Sequence, residues 1–90
     1  MKILHLTLKK KWFDMIACGK KDEEYREIKP YWSKRLDGKK YDAVRFRNGY
    51  SSKSPVIMFK LVSIKKGKGR PSLGAPDESV YILKLGEKIK

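Results

Sequence analysis

The sequence contains one cysteine, one histidine and no long apolar run, and each scarcity excludes a class of protein. Because Cys18 stands alone, no internal disulfide can form, as is usual for proteins of the cytoplasm. With so few histidines and cysteines, no cluster has the spacing of metal ligands, and we expect neither a metal nor another cofactor. The apolar stretch near the N-terminus is too short for a signal peptide, and no run approaches a membrane span in length. We therefore expect a cytoplasmic protein with no membrane partner.

Acidic residues are scarce as well. The chain has 10 of them against 23 lysines and arginines, which gives a formal net charge of +13. Such a charge favours polyanions as partners, and counterion release gives a basic surface affinity for nucleic acid. We expect a nucleic acid as the partner, and the charge alone does not distinguish RNA or a nucleotide from DNA. The sequence does not indicate an oligomeric state.

The length and the hydrophobic pattern predict the fold class. Ninety residues that are 40% hydrophobic suffice for one packed domain, covering residues 1–90. Periodicity predicts five strands, at residues 2–7, 23–28, 41–47, 56–64 and 79–85. It also predicts two short helices, at residues 8–18 and 30–36. Strands dominate this core, so we predict an α+β fold, a small β-barrel of about five strands with one or two short helices.

Local signals add detail to this prediction. Thr7 is a plausible N-cap for the first helix, Gly19 stands at its C-terminal end, and Cys18 falls on its apolar face as a small core residue. The nearly continuous apolar run at 56–64 predicts a strand buried on both faces. Residues 65–77 are rich in glycine, proline and basic side chains, which predicts a mobile basic loop.

Residues 19–26, which read G-K-K-D-E-E-Y-R, concentrate charges of both signs in a short segment after the first helix. Glu24 and Arg26 are two apart on an extended stretch, so their side chains emerge on the same face and can pair. Together with Lys21 they can bind a base edge, because glutamate accepts from an exocyclic amine while the two cations donate. They can also form a general acid/base group if burial shifts their pKa values. A solvated turn with a structural Glu–Arg pair is the competing interpretation.

Two further groups of side chains are candidates for nucleic-acid contacts. Arg45 and Arg47 alternate with apolar residues on the predicted third strand, so they project together from one face. Tyr31, Trp32 and Tyr50 lie in or near predicted loops. Arginine and aromatic faces together suit unpaired bases, whose stacking contributes about 1–3 kcal/mol per base.

Lys9, Lys10 and Lys11 form the second group, in the first turn of the predicted helix. Positive charge is disfavoured at a helix N-terminus because it opposes the macrodipole. A phosphate bound there would relieve the repulsion, since free backbone N–H groups and lysines would then point at one anion. The alternative is that these lysines extend into water.

The segment Gly19 to Arg26 resembles the G-x-K-x-x-E-x-R motif of ASCH (activating signal cointegrator homology) domains. The flanks resemble the family too, with an N-terminal strand I-L-H-L-T-L and a helix carrying Trp12 and Ile16 before the motif glycine. The stretches E-I-K-P-Y-W and F-R-N-G-Y are similar to those of a compact microbial and phage-type subgroup. The resemblance covers essentially the whole chain.

This resemblance implies a β-barrel related to the PUA fold, with a cleft beside the motif turn. Members of the family are regarded as RNA-binding or RNA-processing modules, and the motif residues are thought to line the cleft. On this chain the cleft residues would be Lys21, Glu24 and Arg26. With the residues added by local reasoning, the predicted nucleic-acid-binding set is Lys21, Glu24, Arg26, Arg45, Arg47, Asn48, Tyr50, Lys9 and Lys10.

The resemblance also raises a hydrolase acting on RNA or a modified nucleoside as the alternative function. One enzymatic branch that is similar to this family hydrolyses acetylated cytidine with a motif lysine and a threonine nucleophile. That threonine falls where this chain has Glu24, and a carboxylate cannot replace a hydroxyl in acyl transfer without changing the mechanism. A ribonuclease-like alternative would use Lys21 and Arg26 to stabilise phosphate charge and Glu24 as the base. If the protein is an enzyme, these three residues are therefore the predicted catalytic group.

Overall fold

A computed structural model describes residues 1–89, and it confirms the predicted α+β fold. Two short helices pack against a curled five-stranded sheet that forms a half-barrel. The elements in chain order are β1 (Ile3–Leu8), α1 (Lys10–Ala17), β2 (Glu23–Glu27), α2 (Pro30–Leu36), β3 (Ala43–Asn48), β4 (Val56–Lys68), a 3₁₀ turn (Pro71–Leu73) and β5 (Ser79–Lys88). Among these residues, no helix is long and apolar enough to cross a membrane.

The strand order across the sheet is β1-β3-β4-β5-β2. β1 pairs in parallel with β3, whereas the other three pairs are antiparallel. The strands β1 and β2 therefore form the two edges, and the sheet curls so that these edges approach each other.

The main core lies on the concave side of this sheet. Alternation along the strands places one set of side chains there, because successive residues of a strand point to opposite faces. The fully buried side chains include Val44, Phe46, Tyr81 and Leu83, and α1 contributes Ile16. A smaller cluster lies on the other side of β5, where Tyr25, Leu73, Ala75 and Val80 pack together.

The helix prediction is correct in place and wrong in detail at both ends of α1. Thr7 does not cap this helix, because the parallel ladder with β3 continues through Thr7 and keeps it in β1. Lys9 occupies the N-cap position and makes no side-chain capping hydrogen bond. Cys18 is exposed rather than buried, since it lies at the C-cap, beyond the buried turn of the helix. The prediction that α2 begins at Pro30 is confirmed.

The predictions for the second half of the chain need two corrections. β4 is not buried on both faces, because only Leu61 is buried along it and Val62 is 65% exposed. Residues 65–68 are not loop, since the ladder with β5 carries β4 on to Lys68. The segment after β4 is also partly ordered by packing, with Leu73 and Ala75 buried in the smaller cluster. In β4 and in the segment after it, contacts with residues distant in the chain determine the structure. Local composition does not reveal these contacts.

Candidate nucleic-acid interface

The motif turn joins α1 to β2 and directs Lys21 into the protein. Gly19 follows the helix in the left-handed region, with a φ of 85°, as a helix-terminating glycine does. The backbone N–H of Lys21 then returns to the carbonyl oxygen of Met15, at 3.0 Å. This closed turn aims the Lys21 side chain inward, where 1% of it is exposed.

Polar and aromatic groups surround the Lys21 ammonium. Its Nζ lies 3.2 Å from Glu24 Oε1 and donates to the carbonyl oxygen of Leu73. It also lies 4.9 Å from the ring centroid of Trp12 and 4.8 Å from that of Tyr25, within the range of cation–π attraction. Burial lowers the pKa of Lys21, and the attraction of Glu24 opposes that shift only in part.

Glu24 and Arg26 complete what we call the ion chain, formed by Lys21, Glu24 and Arg26. Arg26 Nη1 donates to Glu24 Oε2, so the two oxygens of this buried carboxylate face two different cations. In the ladder, Glu24 lies opposite Leu83 and Arg26 opposite Tyr81, both of which belong to the main core. The pair therefore shares one face, as its spacing predicted, and the ladder places that face on the core side of the sheet, with Tyr25 on the other side.

Arg26 also connects the two edges of the sheet. Its Nη2 donates to the backbone carbonyl oxygen of Thr7 in β1, at 3.3 Å, and its Nη1 donates to that of Tyr25, at 2.8 Å. The ring of Trp32 lies 5.2 Å from the guanidinium carbon. One planar cation thus contacts both edge strands and α2, which is a use that the forked geometry of arginine permits.

The other two acids of the motif, Asp22 and Glu23, form contacts that hold the segment after β4 against β2. Asp22 accepts hydrogen bonds from Lys84 and Arg70, and these contacts lower its pKa. Tyr25 donates its hydroxyl proton to Glu23, at 2.8 Å, and accepts from the backbone N–H of Arg70, at 3.1 Å. Residues 69–75, which we call the capping segment, therefore cover Lys21 and the ring of Trp12.

A second group of predicted residues lines a groove of about 250 Å³ on the convex side of the sheet. We call it the arginine groove, and it is lined by His5, Leu6, Thr7, Arg45, Arg47, Tyr50 and Val56. The parallel register places His5 beside Arg45 and Thr7 beside Arg47, so the two arginines form a short row next to β1. Tyr50 stands at one end of this row and is 91% exposed.

No acid among the described residues neutralises the arginines of this groove. Within the described part of the chain, no carboxylate lies within 4.0 Å of Arg45 or Arg47, and Arg47 donates only to the carbonyl oxygen of Ser51, at 3.2 Å. The motif acids are all engaged with other cations. The positive charge at the groove is therefore available to an anion.

The remaining predicted residues lie apart from both sites. Asn48 ends β3, is half-buried and does not line the groove. Lys9 and Lys10 are exposed at the start of α1, and Lys10 forms an ion pair with Asp14 one turn along the helix. Lys10 therefore has a partner within its own helix, which is neither the bound phosphate nor the extension into water that the sequence left as alternatives.

Two sets of residues in these sites were not predicted from the sequence. His5 was not among the predicted site residues, yet it is exposed and lines the arginine groove. The alternation of β1 already placed His5 and Thr7 opposite the core leucines, and this signal could have found them. Trp12 and Leu73 both contact Lys21; Trp12 was placed only on the preceding helix, and Leu73 lies 52 positions from Lys21, where no local signal identifies it.

A second concavity, larger than the arginine groove, contains none of the predicted residues. It has a volume of about 1020 Å³ and lies between the loop that precedes β3 and the second half of β4. Across residues 1–89, no three metal-ligating side chains of the histidine, cysteine or carboxylate type come together. Compared with protein-family models, with curated proteins and with solved structures, the chain gives no match.

Proposed function

We propose that this protein is an ASCH-type module that binds single-stranded RNA or a nucleotide in the arginine groove. The observation that carries this proposal is the row of Arg45 and Arg47, which have no acidic partner among residues 1–89 and lie beside the exposed ring of Tyr50. Arginine binds phosphate through two parallel hydrogen bonds, and an exposed aromatic ring offers a stacking surface to a base. In this proposal one nucleotide occupies the groove, and the rest of a strand runs over the basic surface.

In this proposal the ion chain positions the groove rather than lining it. Glu24 binds Arg26, and Arg26 binds the carbonyl oxygen of Thr7, whose side chain forms part of the groove wall. The motif thus supports β1, which carries three of the seven residues that line the groove. The resemblance to ASCH domains supports RNA as the polyanion, and the excess of 23 basic over 10 acidic residues supports a nucleic acid in general.

Binding without cleavage is the function that the geometry supports better. A hydrolase that uses Glu24 as its base would need a carboxylate free to accept a proton from a substrate. Both oxygens of Glu24 are instead occupied by cations, and 6% of its side chain is exposed. We therefore expect the RNA to remain intact after incubation with the protein.

Fluorescence anisotropy with a labelled oligouridylate about ten nucleotides long tests the proposal. The double variant Arg45→Ala/Arg47→Ala should bind at least tenfold more weakly. Its plot of log affinity against log salt should be less steep by roughly 1.4, since each lost phosphate contact on a single strand removes about 0.7. Tyr50→Ala should weaken binding by about 1–3 kcal/mol, whereas Tyr50→Phe should not.

The matched control is Lys34→Ala/Lys88→Ala, which removes two exposed charges away from the groove. Equal losses in both double variants would mean that net charge alone drives binding, and the groove assignment would be wrong. A gel of the same mixtures reports cleavage, and an oligothymidylate of equal length distinguishes RNA from DNA preference. Cleavage by the unaltered protein that is lost in Glu24→Gln, at a temperature where circular dichroism shows the variant to be folded, would replace the binding module with the hydrolase.

A further inference from the structure

β4 changes its partner halfway along its length. Residues 56–60 pair with β3, whereas residues from 61 onward pair with β5 alone, and two register shifts lie between Phe59 and Ser63. On the side facing β3, the amide of Leu61 makes the last backbone contact, with the carbonyl oxygen of Asp42 at 3.2 Å. In the part of the chain that the structure describes, no strand continues the sheet beyond that point on this side. Residues 62–66 therefore present a free strand edge.

The larger concavity runs along this free edge, and we call it the loop cavity. It is bounded by residues 36–42 on one side and by residues 61–66 and Tyr81 on the other. Leu36, Leu61 and Tyr81 form a buried apolar floor, and Val62 stands exposed at the mouth. Unpaired strand edges are ready templates for another strand, because their N–H and C=O groups seek partners. The cavity therefore combines an apolar floor with a row of backbone donors and acceptors.

The charges around the loop cavity are predominantly positive. Four lysines line it, and two aspartates do so as well. Asp37 pairs with Lys66 at 3.4 Å, and Asp42 accepts from the backbone N–H of Lys2 at 2.6 Å, so both carboxylates are engaged. The other three lysines have no ion-pair partner among residues 1–89, and they are Lys39, Lys40 and Lys65.

We propose that the loop cavity binds an acidic, extended segment of a partner protein, which adds to the free edge of β4 as a further strand. Strand addition gives affinity through main-chain hydrogen bonds and specificity through alternate side chains. Lysines on an edge normally prevent sheets from joining, since a second copy of this chain would place lysine against lysine. The carboxylates of an acidic segment would instead be attracted to these lysines. Residues 62–66 match a partner of about five residues, roughly 17 Å long at the rise of a strand.

The test uses a fluorescein-labelled, acetylated peptide of sequence EVEVE and the intact protein. We expect saturable binding by anisotropy, and at least tenfold weaker binding of the peptide KVKVK. Only alternate amides of an added strand face its neighbour, so two N-methylated versions of EVEVE are compared, one methylated at the valines and one at the second and third glutamates. One of the two should lose at least tenfold in affinity. If both bind as EVEVE does, strand addition is wrong.

Charge reversal locates the site on the protein. Lys39→Glu/Lys40→Glu/Lys65→Glu should lose EVEVE binding at least tenfold and gain binding of KVKVK. The matched control, Lys9→Glu/Lys11→Glu/Lys20→Glu, reverses three exposed lysines elsewhere and should bind EVEVE within about threefold of the unaltered protein. Equal loss in both triple variants would overturn the assignment to this cavity.

A competition experiment separates this proposal from the RNA-binding one. The variant Arg45→Ala/Arg47→Ala leaves the loop cavity intact and should bind EVEVE as the unaltered protein does. If an oligouridylate displaces EVEVE from that variant at equal concentration, the loop cavity is a nucleic-acid site and the peptide proposal is wrong. If the protein binds the peptide but no RNA, the proposed RNA-binding function is wrong and the peptide proposal stands.

Discussion

Glu24→Gln removes the one negative charge that Lys21 and Arg26 share, while it keeps the size of the side chain. The glutamine carbonyl can accept a hydrogen bond from one cation, but its amide group would then point its own protons at the other. Both neighbours are held near it, since 1% of the Lys21 side chain and 15% of the Arg26 side chain are exposed. The variant therefore leaves positive charge buried without compensation.

The expected cost follows from that burial. Removing one partner of a buried ion pair typically costs about 3–5 kcal/mol. A domain of 90 residues has a free energy of unfolding of about 5–13 kcal/mol at the usual value per residue. The variant should therefore remain marginally folded, with a melting temperature lowered by roughly 12–40 °C at the usual conversion for small domains.

Thermal and urea denaturation followed by circular dichroism measure this loss. The control is Glu27→Gln in the same strand, whose carboxylate pairs with Lys29 at 3.1 Å while more than half exposed. Such a surface pair contributes about 0–1 kcal/mol. Adding Lys21→Met to Glu24→Gln removes one of the two stranded cations and should recover part of the loss. Equal effects of the two glutamine substitutions, or strict additivity in the double variant, would refute the reasoning from burial.

Three further predictions concern the same region. Burial lowers the pKa of Lys21, so up to its ordinary 10.5 the unfolded chain binds this proton more tightly than the folded protein, and the lysine's contribution to stability rises with pH. Urea denaturation gives the free energies of unfolding of the unaltered protein and of Lys21→Met. The difference between the two should increase as the pH approaches 10.5, and a constant difference would contradict this. Gly69→Ala should cost about 1–3 kcal/mol in a urea titration, because the new Cβ would lie 2.5 Å from the ring of Tyr25, while Gly67→Ala, whose Cβ meets only ordinary contacts, should cost less. Arg26→Lys should lower the melting temperature by an amount corresponding to about 1–3 kcal/mol, because an ammonium cannot replace the fork that reaches the carbonyl oxygen of Thr7; an unchanged melting temperature would show that this contact is dispensable.

The strands and helices were predictable where a local signal coincides with the tertiary environment. β3 alternates between core residues and arginines, and its orientation in the structure follows that alternation. Pro30 fixes the start of α2 because proline suits the first turn of a helix. The end of β4 was not predictable in this way. Residues 65–68 have the composition of a loop, and only their ladder with β5 makes them a strand.

The candidate sites, too, were predictable only where a local pattern fixes the direction of a side chain. The pairing of Glu24 with Arg26 follows from their spacing on a strand, and so does the shared face of Arg45 and Arg47. The direction of Lys21 does not, because a turn residue has no periodicity. Its burial depends on Trp12 and on the capping segment, which is some fifty positions later in the chain. Sequence patterns therefore predicted which side chains share a face of a strand, but not which of them are accessible to solvent.

The connection of β2 with β5 has a consequence for how the protein folds. Glu27 pairs with Val80, so the motif strand cannot find its partner until a loop containing β3 and β4 has closed. Loops of this length close at an entropic cost that only later contacts repay, and such topologies fold slowly. The strands β3, β4 and β5 are consecutive antiparallel neighbours and can associate first. Lys21 and Glu24 would then become buried only after the transition state for folding. Substitutions in the ion chain should therefore accelerate unfolding far more than they slow folding.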